Sequence, residues 1–342
     1  MPALAVARRH AATRDRVIGN VRQEARRAWQ RVNPAAVNAT WLAQLPRMLL
    51  AVAGAQLLSA ASSALYLDRV LAEQGLDPTA VGAVNARALA GIASDGRPLD
   101  TLLMQPMFTT LAALGAGMQE ARALAGGYAT LDMIVRTQIA DAGRVADELA
   151  TAVRPAAQGY VRMVSPGACA RCAILAGRWY RWDAGFLRHP SCNCVGIPSA
   201  EDRAGDLFTD PRAYFDSLSP EEQDRIFTTS GAEAIRLGAD MSQVVNARRG
   251  MQSSVVFGRE IQHTLEGITR RGVAGSRLIA EGARLQGIQA ETVTRTSRSG
   301  PVERQVIRQR VNIPRLMPEQ ILADATGRDA AIRLLRRFGY IT

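Results

Sequence analysis

The chain has 342 residues, 47% of them hydrophobic and 21% charged, an ordinary balance for a soluble globular protein and enough length for two or three domains with a sizeable core. All of its basic residues are arginine, and the net charge of +11 favours an anionic partner such as nucleic acid. Only 5% of residues are aromatic, which argues against stacking platforms for single strands.

Residues Ala3 to Val32 read as a basic helix. Arg8, Arg9, Arg14, Arg16, Arg22, Arg26, Arg27 and Arg31 stand against only Asp15 and Glu24, over a thin apolar stripe of Val6, Val17, Val21 and Trp29. A DNA- or partner-binding arm and a merely solvated helix face are both open readings. Asn33-Pro34 breaks this helix. Arg47 to Asp68 encloses an uncharged run whose length approaches a membrane span. Gln56, Ser59, Ser62 and Ser63 interrupt it, and a span needs about 20 predominantly apolar residues, so a buried or oligomer-facing helix ending near Gly75 is expected. Asp77-Pro78 joins an N-cap to a proline at the first helical position and predicts a helix to about Ile92. Further helices are expected over Leu102–Leu124 and Tyr128–Val153, separated by Gly126-Gly127, which makes residues 1–155 nearly all helical.

The stretch from Tyr160 to Pro198 holds all four cysteines, Cys169, Cys172, Cys192 and Cys194, together with His189, one of only three histidines. Tyr160–Val164 and Arg178–Trp182 alternate as strands around the Ala176-Gly177 turn. The Cys-x2-Cys knuckle and the His-Pro-x-Cys-x-Cys run offer five candidate ligands for the four places of a structural zinc. Other readings are reduced packing cysteines, two disulfides, or a cysteine nucleophile with His189 as its base. No signal peptide is seen, so a reducing compartment is expected, in which disulfides do not persist. Trp179, Tyr180 and Trp182 suit the core of a small metal-stabilised unit, or a contact surface for another protein.

These residues resemble the core of the phage Mu F-like minor head proteins. The resemblance rests on Cys169-Ala170-Arg171-Cys172, the turn at Ala176-Gly177 and His189-Pro190-Ser191-Cys192-Asn193-Cys194. The wording CAILAGRWYRW, GF and RHP is similar to versions carried by phages of actinobacteria. The likeness is specific over Tyr160–Pro198 and fair to about Met251, and the tail from Arg315 is similar to the end of the same proteins. It implies a head-assembly role inside the capsid near the portal, with portal, capsid or scaffold proteins as partners and the virion interior as location. Some members are labelled capsid maturation proteases, which keeps cleavage of scaffold or capsid protein as the alternative.

After Pro198 the chain turns polar and acidic. Ser219-Pro220-Glu221-Glu222 is a capping box, and helices are expected over Pro220–Phe227, Gly231–Leu237 and Met241–Ala247. Thr292 to Arg310, carrying Arg295, Arg298, Arg304, Arg308 and Arg310 against Glu303, reads as an extended or mobile arm that touches phosphate or merely links. Met317-Pro318-Glu319 starts one C-terminal helix, and Asp329 to Phe338 forms a second, with Ile332, Leu335 and Phe338 as docking anchors.

Gly-x-Ser-x-Gly, His-Glu-x-x-His and P-loop motifs are absent from the sequence. His263 lies near Glu260 and Glu266 and reads as an ordinary helical-surface histidine, with no spacing that selects a serine partner. No catalytic residue is assigned. The expected fold is mainly α: a helical N-terminal region over 1–155, a Mu F-like core with a small β-hairpin Cys/His unit over 156–251, a mobile Arg-rich connector over 252–315 and a C-terminal helix pair over 316–342. The expected cofactor is structural zinc on Cys169, Cys172, His189, Cys192 and Cys194. The expected partners are portal and capsid or scaffold proteins and packaged DNA bound without sequence specificity, and no membrane.

Overall fold

The computed structural model describes residues 2–341 except 166, 186–188, 193, 208–209, 257–258 and 298–299, and gives the backbone alone for 256, 287–297 and 300–308. Asn193 of the Cys/His run, the Phe186 and Arg188 of the resemblance and Arg298 therefore lie outside the described residues. The fold is mainly α, with a helical N-terminal half, small sheets in the middle and short helices at the C-terminus. Two compact units divide the chain: Met1–Ala168 with Leu175–Asp210, and Cys169–Ile174 with Pro211–Thr342.

In the first unit, helices α1 (Pro2–Trp29), α2 (Val37–Leu42), α3 (Leu45–Ala61), α4 (Ser63–Ala72), α5 (Leu99–Leu103) and α6 (Gln105–Gly115) gather around the 33-residue α7 (Glu120–Ala152). Trp41, Met48, Leu99, Leu103, Leu131 and Ile139 form its main core. Each such side chain contributes about 1.5–3 kcal/mol on burial. The indoles of Trp29 and Trp41 donate to the carbonyls of Leu124 and Leu103, so neither polar edge is wasted.

Helix α1 corrects one expectation. It is not an arm: Ala3, Val6, Ala7, Ala11, Ile18, Val21, Ala25 and Trp29 make a buried stripe, and even Arg14 is 5% exposed. The stripe is built largely of alanine, which is why a search for large apolar residues makes it look thin. The remaining arginines of the helix are exposed. The apolar run forms α3 and α4, which break at Ser62. Leu45–Ala72 is long and apolar enough by length and composition to cross a membrane, and 39% of its most apolar window is buried. Met48, Val52, Ala55 and Ser59 face inward, whereas Leu50, Leu58 and Leu65 are exposed. Gln56 is no interruption, since its amide satisfies the Gly91 N–H and the Ile92 carbonyl at 2.9 Å each.

Two further expectations are overturned here. No helix runs from Pro78 to Ile92; that stretch is open chain with one 3-10 turn, Ala86–Leu89. The Asp77 carboxylate accepts from Thr79 N at 2.9 Å, closing a local turn that competes with a helix. Val81 N then donates to the Val153 carbonyl. Thr79, Val81, Gly82, Val84 and Asn85 are all weak helix formers and do not reverse that choice. Nor do Gly126-Gly127 end a helix, because both lie inside α7. A Cβ on Gly127 would stand 2.1 Å from Thr110 Oγ1 and 2.4 Å from the Trp29 ring, so this glycine is a packing residue.

The same unit holds a three-stranded antiparallel sheet in the order β2 (Trp179–Arg181), β1 (Gly159–Met163), β3 (Val195–Ser199). The expected hairpin is present, and β3 is an addition to it. Every residue of β1 is buried. Val161 and Met163 join Val195, Ile197, Leu67 and Leu71 in one apolar cluster, while Tyr160 and Arg162 alternate to the other face. Trp179 packs against that cluster, whereas Trp182 is 48% exposed.

In the second unit, α8 (Ala170–Ala173), α9 (Pro211–Asp216), α10 (Pro220–Phe227), α11 (Thr229–Arg236) and α12 (Met241–Ala247) precede a sheet of β4 (Met251–Val256), β5 (Arg259–Thr264) and β8 (Arg315–Leu316). The Ser219–Glu222 capping box is formed in both directions. Residues 252–315, read above as a connector, carry the β4–β5 hairpin, α13 (Val273–Ala280) and a long hairpin of β6 (Leu285–Ser297) with β7 (Gly300–Val311). Helices α14 (Pro318–Asp324) and α15 (Arg328–Arg337) form the expected pair. Their proposed anchors are already used: Leu335 and Phe338 are buried with Phe215, Phe227, Ile235, Met317 and Tyr340, and Ile332 packs beside them. An α15 that looks like a docking module in sequence is a core element of its own unit. Arg315, 1% exposed, stacks 3.9 Å from the Tyr340 ring centroid and donates to the carbonyls of Phe338 and Gly339, fastening the terminal turn.

Candidate metal centre

The Cys-x2-Cys segment folds as a tight turn into α8. Cys169 is extended (φ −70°, ψ 162°) and its carbonyl accepts from the N–H groups of Cys172 and Ala173 at 2.9 and 3.0 Å. That geometry places the two cysteines three positions apart on one turn, the spacing that lets both sulfurs address a single point.

The His-Pro-x-Cys run makes its own turn. Cys192 N donates to the His189 carbonyl at 3.1 Å, and Ser191 takes a left-handed φ of 64°. For a non-glycine residue that conformation costs about 1 kcal/mol or more. Ser191 N is met by Thr137 Oγ1 of α7 at 2.9 Å, which holds the strained turn in place. Arg144, also on α7 and 6% exposed, donates through Nε to the Cys194 carbonyl at 3.0 Å and through Nη2 to the Cys192 carbonyl. The cysteine limb is therefore pinned through its backbone carbonyls.

The five sequence candidates come together without disulfides. Donor atoms of Cys169, Cys172 and His189 lie within 4.8 Å of one another, as do those of Cys172, Cys192 and Cys194. Cys172 belongs to both groups. Cys172, Cys192 and Cys194 are 1–2% exposed, while Cys169 and His189 are half-buried. The sulfurs of a tetrahedral zinc site, each about 2.3 Å from the ion, stand about 3.8 Å apart, so the spacing within each group is close to that of ligands on one ion. His189 Nδ1 is 2.8 Å from the Pro190 carbonyl. A donor at Nδ1 leaves Nε2 as the lone-pair nitrogen, the arrangement usual for a metal-ligating histidine. The donor set, sulfur-rich with one imidazole, fits a soft or borderline cation such as zinc.

One more side chain enters this centre, and the sequence reading missed it. Arg162 of β1 is 1% exposed and its Nη2 donates to Cys194 Sγ at 3.5 Å. The only hint in the sequence is an arginine inside a strand otherwise apolar and aromatic.

A second buried polar centre also escaped the sequence. Arg14 pairs with Asp147 through both terminal nitrogens and donates to the carbonyls of Ser59 and Gly143 at 3.0 and 2.8 Å. His10 Nε2 stands 3.5 Å from Asp147 Oδ1 and its ring stacks on Tyr66 at 3.8 Å. Burial alone would raise the Asp147 carboxyl, but the Arg14 charge, with His10 beside it, holds it at about 2. Burial lowers His10 below its ordinary value, only partly offset by Asp147. His10 is thus neutral at neutral pH, and Arg14, on the same helix, provides the cation. His263, read as a helix-surface residue, lies instead on β5, 8% exposed, opposite Gln252. Its Nδ1 is 3.5 Å from the Ile261 carbonyl.

No family model, no curated protein and no solved structure matches this chain.

Proposed function

We propose that this chain is a minor head protein of the phage Mu F-like type, an assembly component of the capsid interior near the portal, whose Cys/His centre holds one structural zinc. The observation that carries the reading is the cluster itself. The residues that bear the resemblance, Cys169, Cys172, His189, Cys192 and Cys194, gather into one compact donor set. Zinc would be held by Cys172 with three of the other four, and its chemistry there is that of a cross-link: it ties the knuckle turn to the His189–Cys194 limb without a redox-sensitive bond. A closed thiolate-rich set suits structure rather than hydrolysis, which needs an open coordination position. The exposed arginines of α1 supply a face for the phosphate backbone of packaged DNA, for which salt-sensitive, sequence-independent binding is expected.

The test is particle composition. Heads assembled from portal, scaffold and capsid proteins with this chain co-expressed should retain it in a few copies, and its zinc should be about one per chain by elemental analysis. Heads that exclude the chain refute the assembly role. Capsid or scaffold subunits that become shorter only when the chain is present would replace that role with maturation proteolysis.

A further inference from the structure

We propose that Arg162 is a positioning residue for the metal centre, holding Cys194 and balancing thiolate charge that the ion leaves over. The proposal rests on the metal reading above and adds a role that the ligand motif does not contain. Arg162 sits in the middle of a strand whose five residues are all buried, with Val161 and Met163 in the apolar cluster on one face. A guanidinium at 1% exposure is costly to bury unless anionic or hydrogen-bonding partners receive it. Its Nη2 points at Cys194 Sγ, 3.5 Å away, a length suited to an N–H···S bond.

The charge count explains the choice of residue. A divalent cation with four thiolates carries a net −2, and with three thiolates and a neutral imidazole a net −1. One fixed guanidinium removes a unit of that excess in either case. A permanent cation is needed there, and arginine stays charged when buried where lysine often does not. The neighbouring strand register assists: Arg162 pairs with Gly196 of β3, and Cys194 immediately precedes that strand, so the sheet sets the donor beside the residue that carries the acceptor. Arg144 acts on the same limb from α7, but through the carbonyls of Cys192 and Cys194 rather than through sulfur. The two arginines therefore divide the work, one setting the backbone and the other the thiolate.

Cobalt(II) substituted into the full-length chain reads this directly. The wild-type protein should show thiolate-to-cobalt charge transfer in the near ultraviolet and the intense visible bands of a tetrahedral site. Absence of both would defeat the metal reading itself, independently of Arg162. A hydrogen bond to sulfur stabilises its lone pairs and raises the charge-transfer energy. R162Q should therefore shift that band to lower energy and weaken metal binding about 10–100-fold in chelator competition, the usual cost of losing an outer-shell partner. R162K keeps a cation but lacks the planar fork, and should fall between R162Q and wild type in both readouts. A purely structural role for Arg162 would lower thermal stability and leave the band energy where it is. Wild-type band energy and affinity in whichever variant folds, judged by far-ultraviolet circular dichroism, overturns the proposal.

Discussion

The two buried polar centres of this chain are built on opposite plans. At Arg14 the chain supplies both charges: the guanidinium finds Asp147 and two carbonyls, so the charges balance within the chain. At Cys172 the chain gathers a set of sulfur donors that could hold a metal ion, with the guanidinium of Arg162 beside Cys194. The first centre staples one long helix to another through residues 133 positions apart in sequence. The second gathers residues within a stretch of 26, Cys169 to Cys194, from the Cys-x2-Cys turn and the limb that leads into β3. Where helices offer a broad core, a polar centre can rely on tertiary packing. On the proposed reading, a metal would do the corresponding work at the second.

The largest expected effect comes from breaking the open centre at its shared ligand. Cys172 lies in both donor groups. Cys172→Ser should cost more than the about 10–100-fold in affinity that an outer-shell loss costs, and should leave far less than one zinc per chain on purification. Cys169→Ser, which touches only the half-buried group, should retain more metal. Equal zinc content in wild type and Cys172→Ser would show that the sulfurs pack without a cation.

The closed centre breaks next. Asp147→Asn leaves Arg14 buried without its counter-charge, and urea unfolding should report a loss of about 3–5 kcal/mol with no change in zinc content. The two mutations together sharpen the comparison, since only Cys172→Ser should lower zinc content, whereas both should lower stability.

Most of this contrast could not be read from the sequence, and the reason is physical. The cysteine centre announced itself because its ligands are few, rare in composition and adjacent in sequence. Its strands β1 and β2 and the helices α10 and α12 followed from local alternation and capping. Arg14 did not, because nothing local distinguishes an arginine that meets a carboxylate 133 residues away from one that faces water. Leu335 and Phe338 failed in the same way: an amphipathic helix shows an apolar face but not whether its own unit already covers it. Asp77-Pro78 was a genuine start signal that a local Asx turn used instead.

Acid should separate the centres by degree. The Asp147 carboxyl sits at about 2 in the fold against 3.8 as its ordinary value. A depressed carboxylate contributes stability that is fully present above its unfolded value and is lost as pH falls from about 4 towards 2. On the linkage relation the amount is about 2 kcal/mol. His10, also lowered, acts in the same direction from about pH 6.5 downward, since the unfolded chain takes up its proton first. Unfolding free energies of wild type should therefore fall with acidification more steeply than those of Asp147→Asn across that window. Parallel curves would mean that Asp147 titrates alike in both states.

The smallest effect tests the helical region that carries the closed centre. Gly126 and Gly127 are adjacent inside α7, and the sequence gives them the same meaning, a break. Their surroundings differ. Nothing lies within 4 Å of a Cβ placed on Gly126, which is exposed, while one on Gly127 would meet Thr110 Oγ1 at 2.1 Å, the Trp29 ring at 2.4 Å and the Pro106 carbonyl at 2.9 Å. Gly126→Ala should then stabilise by about 0.5–1 kcal/mol, the usual gain when alanine replaces glycine in an exposed helix interior. Gly127→Ala should destabilise by about 1–3 kcal/mol through overpacking, because the Pro106 carbonyl and the Trp29 indole, itself bonded to Leu124, have little room to retreat. Opposite signs in paired denaturation curves would establish that α7 runs unbroken through both glycines. Destabilisation by both substitutions would return the break that the sequence suggested.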